Sequence, residues 1–200
     1  PQFPLTLPDR AAADYLLKEA GVGDDSYVVI HAGSAQTVLA EAKRWPADCY
    51  AKLVETIRDR TGRRVLIVEG PDEAGVSDNI AGQLSNRTGI HTAVLRGTLG
   101  AAAAVLERAA FYAGTDSGLA HLAAAVGKRP ITLFAPADPD RVCPHGHRDL
   151  VVQPPGIVTP SFLYPYESTK PKMRESEFSI TQITVEQVME KVMRLSEEVG

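Results

Sequence analysis

The 200-residue chain has only two cysteines, Cys49 and Cys143. That is too few for a disulfide framework, and a reducing cytosol is the expected setting. An excess of positive charge is also lacking. Twenty-one Lys and Arg against 25 Asp and Glu leave a net charge of −4, which gives no electrostatic basis for binding nucleic acid or an acidic membrane. No hydrophobic run is long enough to cross a bilayer, and no signal-peptide pattern opens the chain. Standard fingerprints are missing as well. GVGDDS at Gly21 precedes the first strand instead of following it, so it is not a dinucleotide-binding turn. Gly127-Lys128 lacks the upstream Gly and the following Ser or Thr of a phosphate loop. There is no GxSxG elbow and no HExxH helix, so serine-hydrolase and zinc-protease chemistry have no residues to rest on.

What is present is 44% hydrophobic sequence, enough for one substantial core and hence one domain. Pro1 to Pro8 reads as an extended linker, after which Asp9 is expected to cap a helix ending near Gly21. Tyr27 to His31 is an apolar, β-branched strand. The polar, small-residue loop after it leads to a helix starting near Pro46, with Cys49, Leu53, Val54 and Ile57 on its apolar face. A strand over Arg64 to Glu69, a weak helix to about Leu84, a strand over Ile90 to Leu95 and an alanine-rich helix capped by Thr98 follow. Strand and helix alternate with short connections, the pattern of a doubly wound parallel sheet. Beyond Val152 the rhythm stops. Gln153 to Lys172 reads as a long proline-rich loop lying over the domain. Thr184 and Gln187 form a capping box, and the helix it starts carries Val185, Val188, Met189, Val192 and Leu195 on one face. That face is expected to leave apolar surface for a further domain to cover.

The most informative stretch is FYAGTDSGLAHLAAAVGKRPITLFAPADP, Phe111 to Pro139. A short strand ends at Gly114, and Thr115, Asp116 and Ser117 are residue types that cap a helix. The helix closes at Gly127, and Pro130 to Phe134 forms a buried strand. A helix start made of small residues exposes unpaired N–H groups and the positive end of the helix dipole, which attract an anion. Gly118 allows close approach of a ligand, and His121, one turn on, shares a face with Ser117. A capped helix with a satisfied histidine explains the same residues.

Two further signals lie at strand ends, where open α/β sheets bind ligands. Lys43 and Arg44 of KRWP supply a cation for a phosphate, or else a solvated basic pair beside a core Trp45. Glu73 of GPDE can accept hydrogen bonds from a ribose diol, or else be a helix-start acid in a turn. Together they place a cation, an acid and a helix N-terminus on one sheet edge, as an anionic nucleotide with a ribose requires. Cys143, His145 and His147 make a CxHxH cluster, but its spacing is not a usual zinc pattern and a proline-flanked surface loop is the better reading.

The ordered set KRWP, GPDE, GTDSGLAHLAAAVG and ITLFAPADP resembles the nucleotide-sugar domain of glycosyltransferase family 9, the bacterial ADP-heptose:lipopolysaccharide heptosyltransferases and their relatives, over roughly residues 27 to 145. The resemblance implies a Rossmann-like C-terminal half of a GT-B enzyme. It divides the chain into an interdomain linker with a lead-in helix (1–24), a nucleotide-sugar-binding domain (25–152), and a covering loop with a C-terminal helix (153–200). It further implies that Lys43 contacts donor phosphate and stabilises the leaving group. Glu73 contacts ribose, Asp116 lies near the sugar, and Ser117 and Gly118 hold the diphosphate. Ser34 and His121 line the pocket, and Leu95 and Gly97 border the base. The donor would be a nucleotide-sugar, ADP-linked, used with inversion and without a metal or other cofactor. The acceptor would be a glycolipid or glycan, and no nucleic acid is a partner.

The resemblance places the general base in an N-terminal acceptor domain that these residues do not include, and the enzyme on the cytoplasmic side, peripheral to the inner membrane. The sequence departs from the family at Ala32, where Pro is common, and at Ala135 and Ala137, where Gly and Thr are common. A non-catalytic nucleotide-binding module and a sugar-nucleotide epimerase are the competing readings. Asp116 also poses a problem, since a carboxylate at a helix start repels the phosphate that the same helix attracts.

Overall fold

Apolar runs of four to six residues, buried on both faces, form parallel strands because helices cover both sides of such a sheet. In the computed structural model, which describes residues 2–23, 26–33, 43–135, 137–154 and 179–199, the elements alternate in the expected order. They are α1 (Leu7–Glu19), β1 (Tyr27–His31), α2 (Ala47–Thr61), β2 (Arg64–Glu69), a 3₁₀ turn (Pro71–Glu73), α3 (Val76–Gly82) and β3 (Ile90–Val94). Then come α4 (Leu99–Arg108), β4 (Tyr112–Thr115), α5 (Gly118–Ala125), β5 (Pro130–Leu133), α6 (Pro139–Val142), β6 (Val151–Val152) and α7 (Val185–Val199). Ser34 and most of the predicted covering loop lie outside the described residues.

The strands run parallel in the order β3-β2-β1-β4-β5-β6. Alternate side chains of each strand face opposite layers. Val28 and Ile30 pack with Leu53, Ile57, Val188 and Val192 of α2 and α7, whereas Val29 and Leu66 pack with Leu17, Leu106 and Leu122 of α1, α4 and α5. The chain winds one way from β1 to β3 and the other way from β4 to β6. The crevice between the carboxyl ends of β1 and β4 is therefore the topological switch point.

Several expectations are corrected. Thr6, not Asp9, caps α1. Its hydroxyl accepts from the Asp9 N–H at 3.3 Å, while the Thr6 N–H donates to the Asp9 carboxylate at 2.9 Å. Pro8 is the reason, since proline fits the first turn and lets the helix begin before Asp9. β3 stops at Val94, and Thr115 belongs to β4, paired with Leu133, and not to the helix cap. A sixth strand, β6, pairs with β5; two residues carry no readable period. The apolar face of α7 is not left open. Val188, Val192 and Leu195 are fully buried in the core that α2 also lines, and the Thr184–Gln187 capping box forms as expected, with bonds of 2.8 and 3.2 Å.

Candidate functional site

Each strand that meets the switch point ends in polar residues, and the fold brings them together. Trp45 fixes the segment that enters α2. It is 3% exposed, its indole N–H donates to the Ile183 carbonyl at 2.9 Å, and it stands edge-on to Tyr50 at 5.0 Å between centroids. Lys43, two residues earlier, is thereby held at the sheet edge. Its ammonium donates to the Asp116 carboxylate at 2.6 Å, the two side chains being 26% and 10% exposed. This answers the repulsion that the sequence posed: the carboxylate at the helix start carries its own counter-cation.

Asp116 and Ser117 follow β4 directly. The Thr115 hydroxyl donates to the Gly33 carbonyl at 2.7 Å and ties the end of β4 to the residues after β1. The Asp116 N–H donates to the Leu133 carbonyl at 3.2 Å. Ser117 takes the extended N-cap conformation of α5, yet its hydroxyl makes no capping bond. It points instead to the His31 imidazole, with Oγ 3.2 Å from Nδ1, and lies 3.3 Å from the Tyr112 hydroxyl. The first N–H groups of α5 thus depend on something other than a side-chain cap for partners. A Cβ at Gly118 would meet nothing within 4 Å, so the approach to this helix end is open. His121 is exposed on α5 and joins none of these hydrogen bonds.

Glu73 reaches the cluster from the turn after β2. Its carboxylate accepts from the Gly70 N–H at 2.7 Å and lies 2.8 Å from His31 Nε2. Burial pushes the Glu73 carboxyl up, but the hydrogen bond and charge of His31, the Gly70 N–H and the nearby Arg44 outweigh it and hold the group below its ordinary value. A Cβ at Gly33 would overlap this carboxylate, so the glycine makes room for it. The neighbouring Glu69 has a different task. It is buried and accepts from the Ser77 N–H and hydroxyl at 2.8 and 2.9 Å, which anchors the start of α3.

Lys43, Glu73, Asp116, Ser117 and Gly118 are therefore gathered at one crevice. Leu95 and Gly97 follow β3, two strands from β1, on the order of 10 Å away. Leu95 is buried with the α1-side core, and Gly97 is exposed with φ of +95°. Sequence reasoning overlooked His31 and Tyr112. The available signal was a histidine closing an otherwise apolar strand, YVVIH, at the position where doubly wound sheets turn. Among the described residues, no group of three or more His, Cys, Asp or Glu is placed to hold a metal. Burial pushes the Cys143 thiol up and the His147 imidazole down.

The family model described as glycosyltransferase family 9 (heptosyltransferase) matches residues 1–163. The lipopolysaccharide heptosyltransferase 1 of Escherichia coli O18:K1:H7 (strain RS218 / NMEC) is 28% identical over 154 residues, which cover 76% of this chain and 44% of that protein. The chain spans about half the length of the curated relatives it matches. Among solved structures, E. coli ADP-heptose lps heptosyltransferase II superimposes with a TM-score of 0.73 at 20% identity, over 99% of this chain and 54% of that one. E. coli heptosyltransferase WaaC with ADP-2-deoxy-2-fluoro heptose superimposes with a TM-score of 0.60 at 24% identity, over 96% of this chain and 50% of that one.

Proposed function

Because the chain belongs to glycosyltransferase family 9, the heptosyltransferases, we propose that its switch-point crevice binds the nucleotide-sugar donor of an inverting glycosyltransferase, with ADP-heptose as the donor. The observation that carries this reading is the convergence of Lys43, Glu73 and the Asp116–Ser117 helix start from three separate connections onto one sheet edge. Lys43 and the N-terminal turn of α5 bind the diphosphate and stabilise the charge that develops as it leaves. Glu73, an ionised acceptor, takes hydrogen bonds from the ribose hydroxyls. Asp116, released in part from Lys43 when phosphate arrives, accepts from sugar hydroxyls. Gly118 and His121 line the pocket, and Leu95 and Gly97 border the base.

The acceptor, a glycolipid or glycan of the bacterial cell surface, binds to a domain outside these residues, which also supplies the general base. On this reading residues 1–24 lead in from that domain, and residues 25–152 with 153–200 form the C-terminal half of a GT-B enzyme. That enzyme works on the cytoplasmic face of the inner membrane. No helix among the described residues is long and apolar enough to cross a membrane.

A calorimetric comparison of ADP, UDP and GDP, each with and without a sugar, tests the reading. ADP-heptose is expected to bind best and to raise the melting temperature, since a ligand at about 100 times its Kd adds about 2.7 kcal/mol. Failure of all these nucleotides to bind would overturn it. Product analysis with the chain joined to an acceptor domain separates transfer from epimerisation and from binding alone.

A further inference from the structure

His31 is 2% exposed, yet both of its ring nitrogens are engaged, and by groups from different connections. Nε2 lies 2.8 Å from Glu73, on the turn after β2, while Nδ1 lies 3.2 Å from Ser117 at the start of α5 and 3.3 Å from Tyr112 on β4. The backbone beneath the ring is fixed by parallel pairing to β2 and β4, with the Tyr50 hydroxyl of α2 at 3.5 Å from the His31 carbonyl. We infer that His31 is a positioning residue of the donor site, whose one ring holds the ribose-side carboxylate and the phosphate-side hydroxyl in register. This rests on the donor-site reading above.

The proton positions follow from the partners. Glu73 is ionised and can only accept, so Nε2 carries a proton and donates to it. In the neutral ring Nδ1 is then an acceptor. Burial holds the Tyr112 phenol protonated, so Tyr112 and Ser117 compete to donate to that one lone pair. Whenever Ser117 wins, its proton points inward and its oxygen lone pairs face the ligand, the wrong polarity for a phosphate. A second proton on the ring reverses this. Nδ1–H then donates to a hydroxyl oxygen, the Ser117 proton turns out toward the open end of α5, and a positive charge stands behind it. Diphosphate binding and protonation of His31 therefore reinforce one another, as linkage requires.

Among the described residues, the titratable and charged groups around the ring are Glu73 after β2, Tyr112 on β4 and Tyr50 on α2. Beyond Ser117 stands the Lys43–Asp116 pair, and Arg44 acts on Glu73. Glu73 is held low and keeps its charge over the neutral and mildly acidic range.

The test measures ADP-heptose binding to this chain by calorimetry from pH 8 to pH 5.5, a range in which the diphosphate diester carries no titrating proton. Wild-type affinity is expected to rise by about fivefold or more on acidification. His31→Gln, which keeps an amide donor for Glu73 but takes up no proton, is expected to bind more weakly and with a flat profile. Nitrogen NMR of the histidine rings in the wild type gives a second readout that needs no variant: ADP-heptose should move the His31 ring signals toward those of a doubly protonated imidazole. A flat wild-type profile, the wild-type trend in His31→Gln, or a His31 ring unmoved by the ligand overturns the inference and leaves the donor site standing. Absence of ADP-heptose binding to the wild type at any pH overturns both.

Discussion

Lys43→Ala is the most decisive perturbation, because the proposed donor site gives Lys43 two tasks, one toward Asp116 and one toward the diphosphate. In the free site the ammonium is bonded to Asp116 at 2.6 Å; on the proposed reading it also faces the diphosphate once the donor is bound. Removing it takes away one charge-assisted hydrogen bond to phosphate, which costs about 1.5–3 kcal/mol, or roughly 10- to 100-fold in affinity. It also leaves the Asp116 carboxylate, 10% exposed, facing the phosphate without its counter-ion. At an effective dielectric of about 20, two like charges some 6 Å apart repel by roughly 3 kcal/mol, so the total loss exceeds that range.

The second part can be isolated. In Lys43→Ala with Asp116→Asn the repulsion is gone, and the double variant should bind ADP better than Lys43→Ala alone. The fold should survive each change, since neither residue packs in the hydrophobic core and the double variant leaves no unpaired charge. Calorimetry with ADP at low and moderate salt, with melting curves as the folding control, reads all three proteins. Unchanged affinity in Lys43→Ala would remove Lys43 from the site. A double variant no better than the single one would show that Asp116 does not face the phosphate.

Gly33→Ala should leave the fold intact but push Glu73 off His31, since a Cβ there overlaps the carboxylate; a drop in affinity for ADP exceeding that for a ribose-free diphosphate checks it. Trp45→Phe strips the Ile183 carbonyl of its indole donor and should cost on the order of 1–3 kcal/mol, read as a lower melting temperature. The Glu73 carboxyl is depressed from its ordinary 4.5, so its stabilising effect is fully present above that value and is lost as pH falls through its folded pKa; the stability advantage of the wild type over Glu73→Gln, read from melting curves, should therefore hold at neutral pH and shrink below that value. ADP-heptose binding should be unaffected by EDTA, and loss of binding that Mg²⁺ restores would overturn the helix-and-lysine account of phosphate recognition.

The first strands were legible because β1 and β2 each carry an uninterrupted apolar run, and the two-faced burial that such runs demand leads directly to a doubly wound sheet. Boundaries were less legible where chemistry changes character within a residue or two. Thr115 has the composition of a cap but the geometry of a strand, since its hydroxyl reaches across to Gly33. Lys43, Glu73, Asp116 and Ser117 could be named from their positions after strands. Their mutual bonds could not, because Lys43 and Asp116 meet only through the packing of β1 against β4. His31 was hidden by its context: in YVVIH it completes a strand, and only the tertiary structure shows that both ring nitrogens are used.

The segment from the end of β2 through the GPDE turn places two acids, Glu69 and Glu73, in different surroundings. A carboxylate near a helix start can serve the helix, or it can serve a site, and composition does not distinguish them. Here the acids divide the work according to where the strand leaves them. Glu69, the last residue of β2, is still inside the core, and its donors among the described residues are the Ser77 hydroxyl and the N–H groups of Ser77 and Gly75, so it becomes the anchor of α3. Glu73 lies one turn further, past Gly70 and Pro71, where the chain has bent back over the carboxyl end of β1 and where Gly33 leaves space for a carboxylate against His31. A buried acid with core donors has nothing to offer a ligand. An acid at the rim, bonded to a ring that also touches Ser117, couples whatever it binds to the start of α5. The same division separates Trp45 from Lys43 two residues before it: the first residue is spent on the core so that the second is held at the edge.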